Sequence, residues 1–156
     1  MSDKLSAAET SVVIVVSEFN QPIIENLLQG ALKAFSHHGG KESDIIIYRV
    51  PGAFEIPGTI RQIIKFYNPH AIIALGAVIR GETPHFDYIA GESARGIAEI
   101  SRNANIPVIN GILTTDTARQ AEARSQVGGI NKGWDALEAA LQTISIYQEI
   151  FSATKC

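Results

Sequence analysis

The chain has 156 residues, the size of one domain and enough to bury a core without disulfide or metal staples. Thirteen basic against sixteen acidic residues leave a net charge of −3, which excludes an overall cationic nucleic-acid binder but not a local basic pocket. Hydrophobic residues at 46% and charged residues at 19% describe a globular chain; the one cysteine, Cys156, excludes a disulfide framework and a thiolate metal cluster.

Residues 1–10, MSDKLSAAET, read as a flexible tail without the apolar segment of a signal peptide. Residues 11–156 read as a single domain, with no repeat and no linker. No run approaches the ~18 apolar residues of a membrane span, so a soluble, cytoplasmic protein without membrane or nucleic-acid partners is expected.

The first strand is expected over 11–17 and leaves through Ser17-Glu18-Phe19-Asn20. Asn20 fits a helix N-cap, with Pro22 in the first turn. Phe19 lies between strand and cap, either as a staple on its own helix or as a platform for a flat heterocycle. Ile24, Leu27, Leu28, Ala31 and Phe35 then share one helix face.

A second apolar run, 45–50, leaves through Pro51-Gly52, a tight turn that brings bare backbone close to whatever lies above it. Ala53, Phe54 and Glu55 follow, and Pro57 fits only the opening turn of a helix whose face is Ile56, Ile60, Ile63, Ile64 and Tyr67. Glu55 near that helix start either meets the dipole or accepts hydrogen bonds from a polyol or amine.

The third run, 71–79, ends in Ala77-Val78-Ile79 and leaves through Arg80-Gly81-Glu82-Thr83-Pro84-His85. Thr83 then Pro84 reads as N-cap then first helical residue, and free N–H groups at Gly81 and Thr83 make an anion seat. Glu82 has the wrong charge for that seat and offers only its main chain. His85 falls in the first helical turn, where the dipole disfavours the imidazolium and leaves a ring able to accept and donate protons. Phe86, Ile89, Ala90, Ala94 and Ile97 continue that helix's face.

The fourth strand is expected over 106–111, with Asn110 near its exit and Thr115 or Asp116 capping a short helix over 118–125. Arg124 suits forked contact with a phosphate, or is a solvated helix charge. Lys132 follows a loose stretch and opens a long helix over 132–151. Near-continuous apolar strands alternating with amphipathic helices argue for an α/β protein: a three-layer α/β/α sandwich on a four-stranded parallel sheet, flavodoxin-like, with ligands outside the carboxyl ends of the strands. No HExxH, GxSxG, GxGxxG or P-loop pattern occurs, so no metal is expected, and a dinucleotide site is disfavoured.

The runs PGAFEIP at 51–57, GAVIRGETPHFDYIA at 76–90, GILTTD at 111–116 and NKGWDA at 131–136 together resemble the lumazine synthase family. The resemblance covers nearly the whole chain and implies a transferase of riboflavin biosynthesis. It would condense 5-amino-6-(D-ribitylamino)uracil with L-3,4-dihydroxy-2-butanone 4-phosphate to give 6,7-dimethyl-8-ribityllumazine, without metal or cofactor. By that resemblance Phe19 stacks on the pyrimidine, with Asn20 beside it. Ala53, Phe54 and Glu55 hold the ribityl side, and Ala77, Val78 and Ile79 border the ring through their main chain. Gly81, Glu82, Thr83 and Arg124 hold the phosphate with Lys132 nearby, and His85 carries protons. It also implies a homopentamer with sites between subunits, from which larger assemblies can be built.

Two departures stand out. Asn110 occupies a position where many family members carry an aromatic residue, which leaves a polar contact to the pyrimidine. The run SQVGGI at 125–130 differs from the Gly-Thr-Lys-Ala-Gly-like run of shell-forming members. Three rival readings are a riboflavin synthase of the archaeal type, a non-catalytic flavin or lumazine binder, and a flavodoxin-like FMN carrier.

Overall fold

The computed structural model describes residues 5–154, so Cys156 lies outside the described residues. In chain order the elements are β1 (Val12–Ser17), α1 (Ile23–His37), β2 (Ile45–Val50), α2 (Ile56–Phe66), β3 (Ala71–Ile79), α3 (His85–Asn103), β4 (Val108–Thr115), α4 (Ala118–Ala123) and α5 (Lys132–Ala153). The strands form one four-stranded sheet in the order β2-β1-β3-β4, every pair parallel. That is the expected sandwich.

The strands point alternate side chains to opposite faces, and the two faces carry separate cores. Val12, Ile14 and Val16 of β1 pack with Ile24, Leu27 and Phe35 of α1 and Leu137 and Leu141 of α5. Val13 and Val15 pack with Ile56 and Ile60 of α2 and Ile97 of α3. Fully burying a side chain such as Leu27 or Leu137 contributes about 1.5–3 kcal/mol. The expected coverage of both sheet faces fails at the edge strand β2, where Ile47, Tyr48 and Arg49 are exposed. A single chain does not extend its helical layers that far.

Several boundaries differ from the sequence reading, each for a physical reason. Residues 5–10 do not run free: Ala7 is fully buried and its N–H donates to the His38 carbonyl at 2.8 Å. The fourth strand starts later and runs to Thr115, because the long strand β3 pairs Val78 with Thr114 and Ile79 with Thr115. Gly111 therefore lies inside the strand rather than ending it. A Cβ there would come within 2.8 Å of the Ala74 carbonyl oxygen and 3.0 Å of the Ala136 methyl, so glycine is what lets α5 approach β4.

Asn131 and Gly133 seat the long helix. Asn131 caps α5 by accepting from the Trp134 N–H at 3.0 Å, and its amide donates to the Asn26 carbonyl of α1 at 3.0 Å. A Cβ on Gly133 would lie 1.9 Å from the Leu27 carbonyl oxygen. From Ser145 onward α5 runs exposed, presenting Ile146, Tyr147, Ile150 and Phe151 outside the core. No helix among the described residues is long and apolar enough to cross a membrane.

Candidate active site

The strand order reverses between β1 and β3, and a crevice outside the carboxyl ends at such a switch point is where ligands of open α/β sheets bind. A cavity of about 660 Å³ lies there, within the size range of small-molecule sites. It is lined from β1 by Phe19 and Asn20, from β2 by residues 51–55, and from β3 and α3 by Ala77, Val78, Ile79, Gly81, Thr83, His85, Phe86 and Ile89.

Asn20 does not cap α1. It adopts a left-handed φ of 76°, a conformation that asparagine tolerates better than most residues, and α1 begins three residues later at Ile23. Its amide nitrogen donates to the Ala77 carbonyl at 2.8 Å. Strand β1 pairs with β3 only as far as Val16 opposite Leu75, so the Asn20 side chain takes up the next carbonyl of the ladder. Phe19 is thereby held beside the β3 exit, 71% exposed on the rim of the crevice.

The β2 exit turns at Pro51-Gly52 and closes a one-turn 3-10 helix, Ala53–Glu55, with the Glu55 N–H donating to the Gly52 carbonyl at 3.1 Å. Ala53 is buried in the core and anchors the segment, while Phe54 is 55% exposed at the rim. Glu55 stands immediately before α2, its side chain folded back over Gly52 and making no capping bond.

At the β3 exit, α3 begins one residue later than expected. Pro84 sits at the cap position and His85 is the first helical residue. The Thr83 hydroxyl still accepts from the His85 N–H, at 3.4 Å. The imidazole therefore projects from the first residue of α3, and Thr83 and His85 line the crevice at that helix start, an arrangement suited to an anion.

Eleven residues expected at the site line the crevice: Phe19, Asn20, Ala53, Phe54, Glu55, Ala77, Val78, Ile79, Gly81, Thr83 and His85. Four do not. Glu82 is exposed in the loop but outside the lining. Asn110 faces outward from the middle of edge strand β4, with its side-chain Oδ1 accepting from the Ile112 N–H at 3.0 Å. Arg124 and Lys132 lie next to each other, the Lys132 N–H donating to the Arg124 carbonyl at 2.9 Å, and neither reaches the crevice of its own chain. The Arg124 guanidinium donates to the Gln120 carbonyl at 3.0 Å. Neither Thr115 nor Asp116 caps α4; Thr117 does, in a capping box with Gln120.

Pro51 and Gly52 line the crevice as the expected close backbone approach, whereas the sequence reading passed over Phe86 and Ile89 as lining residues. Phe86 and Ile89 follow His85 by one and four positions, so helical spacing places Ile89 on the histidine's own face. The lining is mostly apolar, with polar groups at Asn20, Glu55, Thr83 and His85, and contains no lysine or arginine. Such a surface stacks and orients a flat polar molecule but leaves a phosphate's charge largely unmatched. Among the described residues, no three His, Cys, Asp or Glu side chains converge where a metal ion could be held.

Comparison with known proteins bears on the same site. The family described as 6,7-dimethyl-8-ribityllumazine synthase matches residues 9–148. A 6,7-dimethyl-8-ribityllumazine synthase of Chloroherpeton thalassium is 43% identical over 146 residues, covering 94% of each chain. One of Campylobacter jejuni is 43% identical over 143 residues, 92% of this chain and 93% of its own. One of Chlorobium limicola is 43% identical over 145 residues, 93% of this chain and 94% of its own. With the parallel sheet, its switch-point crevice and near full-length matches in agreement, the chain belongs to the 6,7-dimethyl-8-ribityllumazine synthase family.

Proposed function

We propose that the crevice condenses 5-amino-6-(D-ribitylamino)uracil with L-3,4-dihydroxy-2-butanone 4-phosphate, making the protein a transferase of riboflavin biosynthesis. The observation that carries this reading is the convergence of Phe19, Glu55, Ala77, Val78 and Ile79 with Gly81, Thr83 and His85 on one crevice. The pyrimidine lies on Phe19, with its edge against the backbone of Ala77, Val78 and Ile79 and the Asn20 turn. The ribityl hydroxyls meet Glu55 and the Ala53-Phe54 backbone. The phosphate sits against the N–H groups of Gly81 and Thr83.

The amine of the uracil attacks the ketone, and loss of water leaves an imine. Phosphate is eliminated, and ring closure expels a second water. Holding two substrates in one geometry supplies much of the acceleration. His85, at the mouth of the phosphate seat, takes and returns the protons, a contribution of typically 10²–10⁴-fold.

The same reading assigns Arg124, Lys132 and Asn110 to the crevice of a neighbouring subunit in a homopentamer, where Arg124 neutralises the phosphate and Lys132 supports it. Supporting this are a crevice without lysine or arginine, and exposed apolar side chains on the edge strand β2 and at the end of α5. Buried between copies, those side chains become an ordinary interface core.

Two experiments test the proposal. Mixing the purified protein with both substrates should release lumazine, followed by its absorbance, and phosphate in equal amounts; pyrimidine binding without phosphate release would make the protein a binder and overturn the reading. Co-assembling inactive His85→Ala and Arg124→Ala subunits should restore part of the turnover, since some sites then draw both native residues. No recovery in verified mixed oligomers would place Arg124 outside the shared site.

A further inference from the structure

Arg80 directly precedes the anion seat, and position alone would make it a phosphate ligand. Its side chain is directed elsewhere. Its Nε donates to the Asp116 carboxylate at 2.8 Å, and an Nη lies 3.5 Å from the Asp87 carboxylate. The guanidinium also lies over the Phe86 ring, 4.5 Å from the centroid. Its backbone N–H donates to the Thr115 carbonyl at 2.9 Å, adding one more rung between β3 and β4. Arg80 is absent from the crevice lining, whereas Phe86 belongs to it.

We infer that Arg80 is a positioning residue for the reaction: it ties the first turn of α3, and with it His85, to the exits of β3 and β4. This rests on the function proposed above. Asp116 follows β4 directly, Asp87 and Phe86 sit on the first turn of α3, and Arg80 follows β3 directly, so one planar cation joins three elements around the seat. Each ion pair is exposed and weak by itself. Their common centre is what restrains the turn: the two carboxylates and the ring define the plane and position of the guanidinium, which lysine does not reproduce. Two further consequences follow. Arg80 is held by carboxylates instead of meeting the substrate phosphate, and the histidine keeps its distance from the reacting carbon through a residue that touches neither substrate.

The test compares native protein, Arg80→Ala, Arg80→Lys, Asp116→Asn and the Arg80→Ala/Asp116→Asn double variant in steady-state turnover. Inhibition by inorganic phosphate and amide hydrogen exchange over residues 85–90 are measured alongside. A misplaced proton carrier should lower kcat roughly ten- to a hundredfold in Arg80→Ala. Arg80→Lys should recover little of it. Asp116→Asn should fall in the same direction, and the double variant should be no worse than Arg80→Ala, because both changes remove one clamp. KM for the phosphorylated substrate and the phosphate inhibition constant should hold within about twofold, since no phosphate contact is lost. Exchange over residues 85–90 should rise. A large rise in KM and in the phosphate inhibition constant with kcat unchanged would make Arg80 a phosphate ligand and overturn the inference. Unchanged kcat in both single variants would overturn it as well. If native protein yields no lumazine, the proposed reaction fails; hydrogen exchange then decides the clamp, and unaltered protection in Arg80→Ala refutes it.

Discussion

Replacing Asn20 separates two contributions to the wall of the crevice. The Asn20 amide donates to the Ala77 carbonyl at 2.8 Å from a backbone at φ 76°. Glycine accepts that φ without steric cost, so Asn20→Gly loses mainly the hydrogen bond and leaves a partly buried carbonyl without this donor. That costs about 1–3 kcal/mol. Alanine loses the bond and must also hold a left-handed conformation, adding about 1–2 kcal/mol. Asn20→Ala should therefore be the less stable variant. For a domain of this size each kcal/mol lowers Tm by roughly 2–4 °C, which thermal unfolding at equal protein concentration resolves. Both variants should also weaken pyrimidine binding, measured by titration, because Phe19 leaves its place beside β3. If Asn20→Gly is as stable as native protein, the ladder bond contributes nothing; if alanine and glycine are indistinguishable, the left-handed turn carries no cost. Either result refutes the account of how this wall is held.

His85→Ala should lower turnover by about 10²–10⁴-fold while pyrimidine binding stays within a fewfold, so equal loss of both would remove its role as proton carrier. Gly133→Ala forces a methyl against the Leu27 carbonyl and should destabilise the α1–α5 contact by about 1–3 kcal/mol in chemical denaturation; native-like stability would mean that the helices separate freely. The hydrogen bond from Arg49 at 2.5 Å holds the Glu25 carboxyl below its ordinary range despite some burial. A depressed folded-state pKa gives stability that is present above the unfolded value and lost as pH falls through the folded one. Because both side chains are about two-fifths exposed, the contribution is at most about 1 kcal/mol. The stability gap between native protein and Glu25→Gln should thus be small near neutrality and close as pH falls through the lowered folded-state value; a gap that widens on acidification would contradict the assignment.

Most of the lining was legible in the sequence because it sits where strands end, and strand ends are marked by local chemistry. Pro51-Gly52, Gly81 and Thr83-Pro84 interrupt apolar runs, and the residues around them line the crevice. Phe86 and Ile89 were read as helix face alone, since apolar spacing does not say whether a face meets the core or a cavity. The fourth strand was expected to end at Gly111 for a related reason: glycine marks both strand ends and close approaches, and only the helix packed above β4 distinguishes them.

What the residues determined unaided is the alternation of buried strands with amphipathic helices, hence a parallel sheet with its chemistry at one end. Local periodicity and turn chemistry encode that directly. The motifs at 51–57, 76–90, 111–116 and 131–136 determined the family by their joint order. The tertiary structure alone decided which candidates share one cavity, because Phe19, Glu55 and His85 meet only through the order β2-β1-β3-β4. It also decided which side chains are already engaged. Asn20 is held by a carbonyl of β3 and Arg80 by two carboxylates, while Arg124 stands away from its own crevice; Ala77 and Asp116 lie tens of residues from the side chains they hold, and even Asp87, seven residues from Arg80, is brought to it only by the turn into α3.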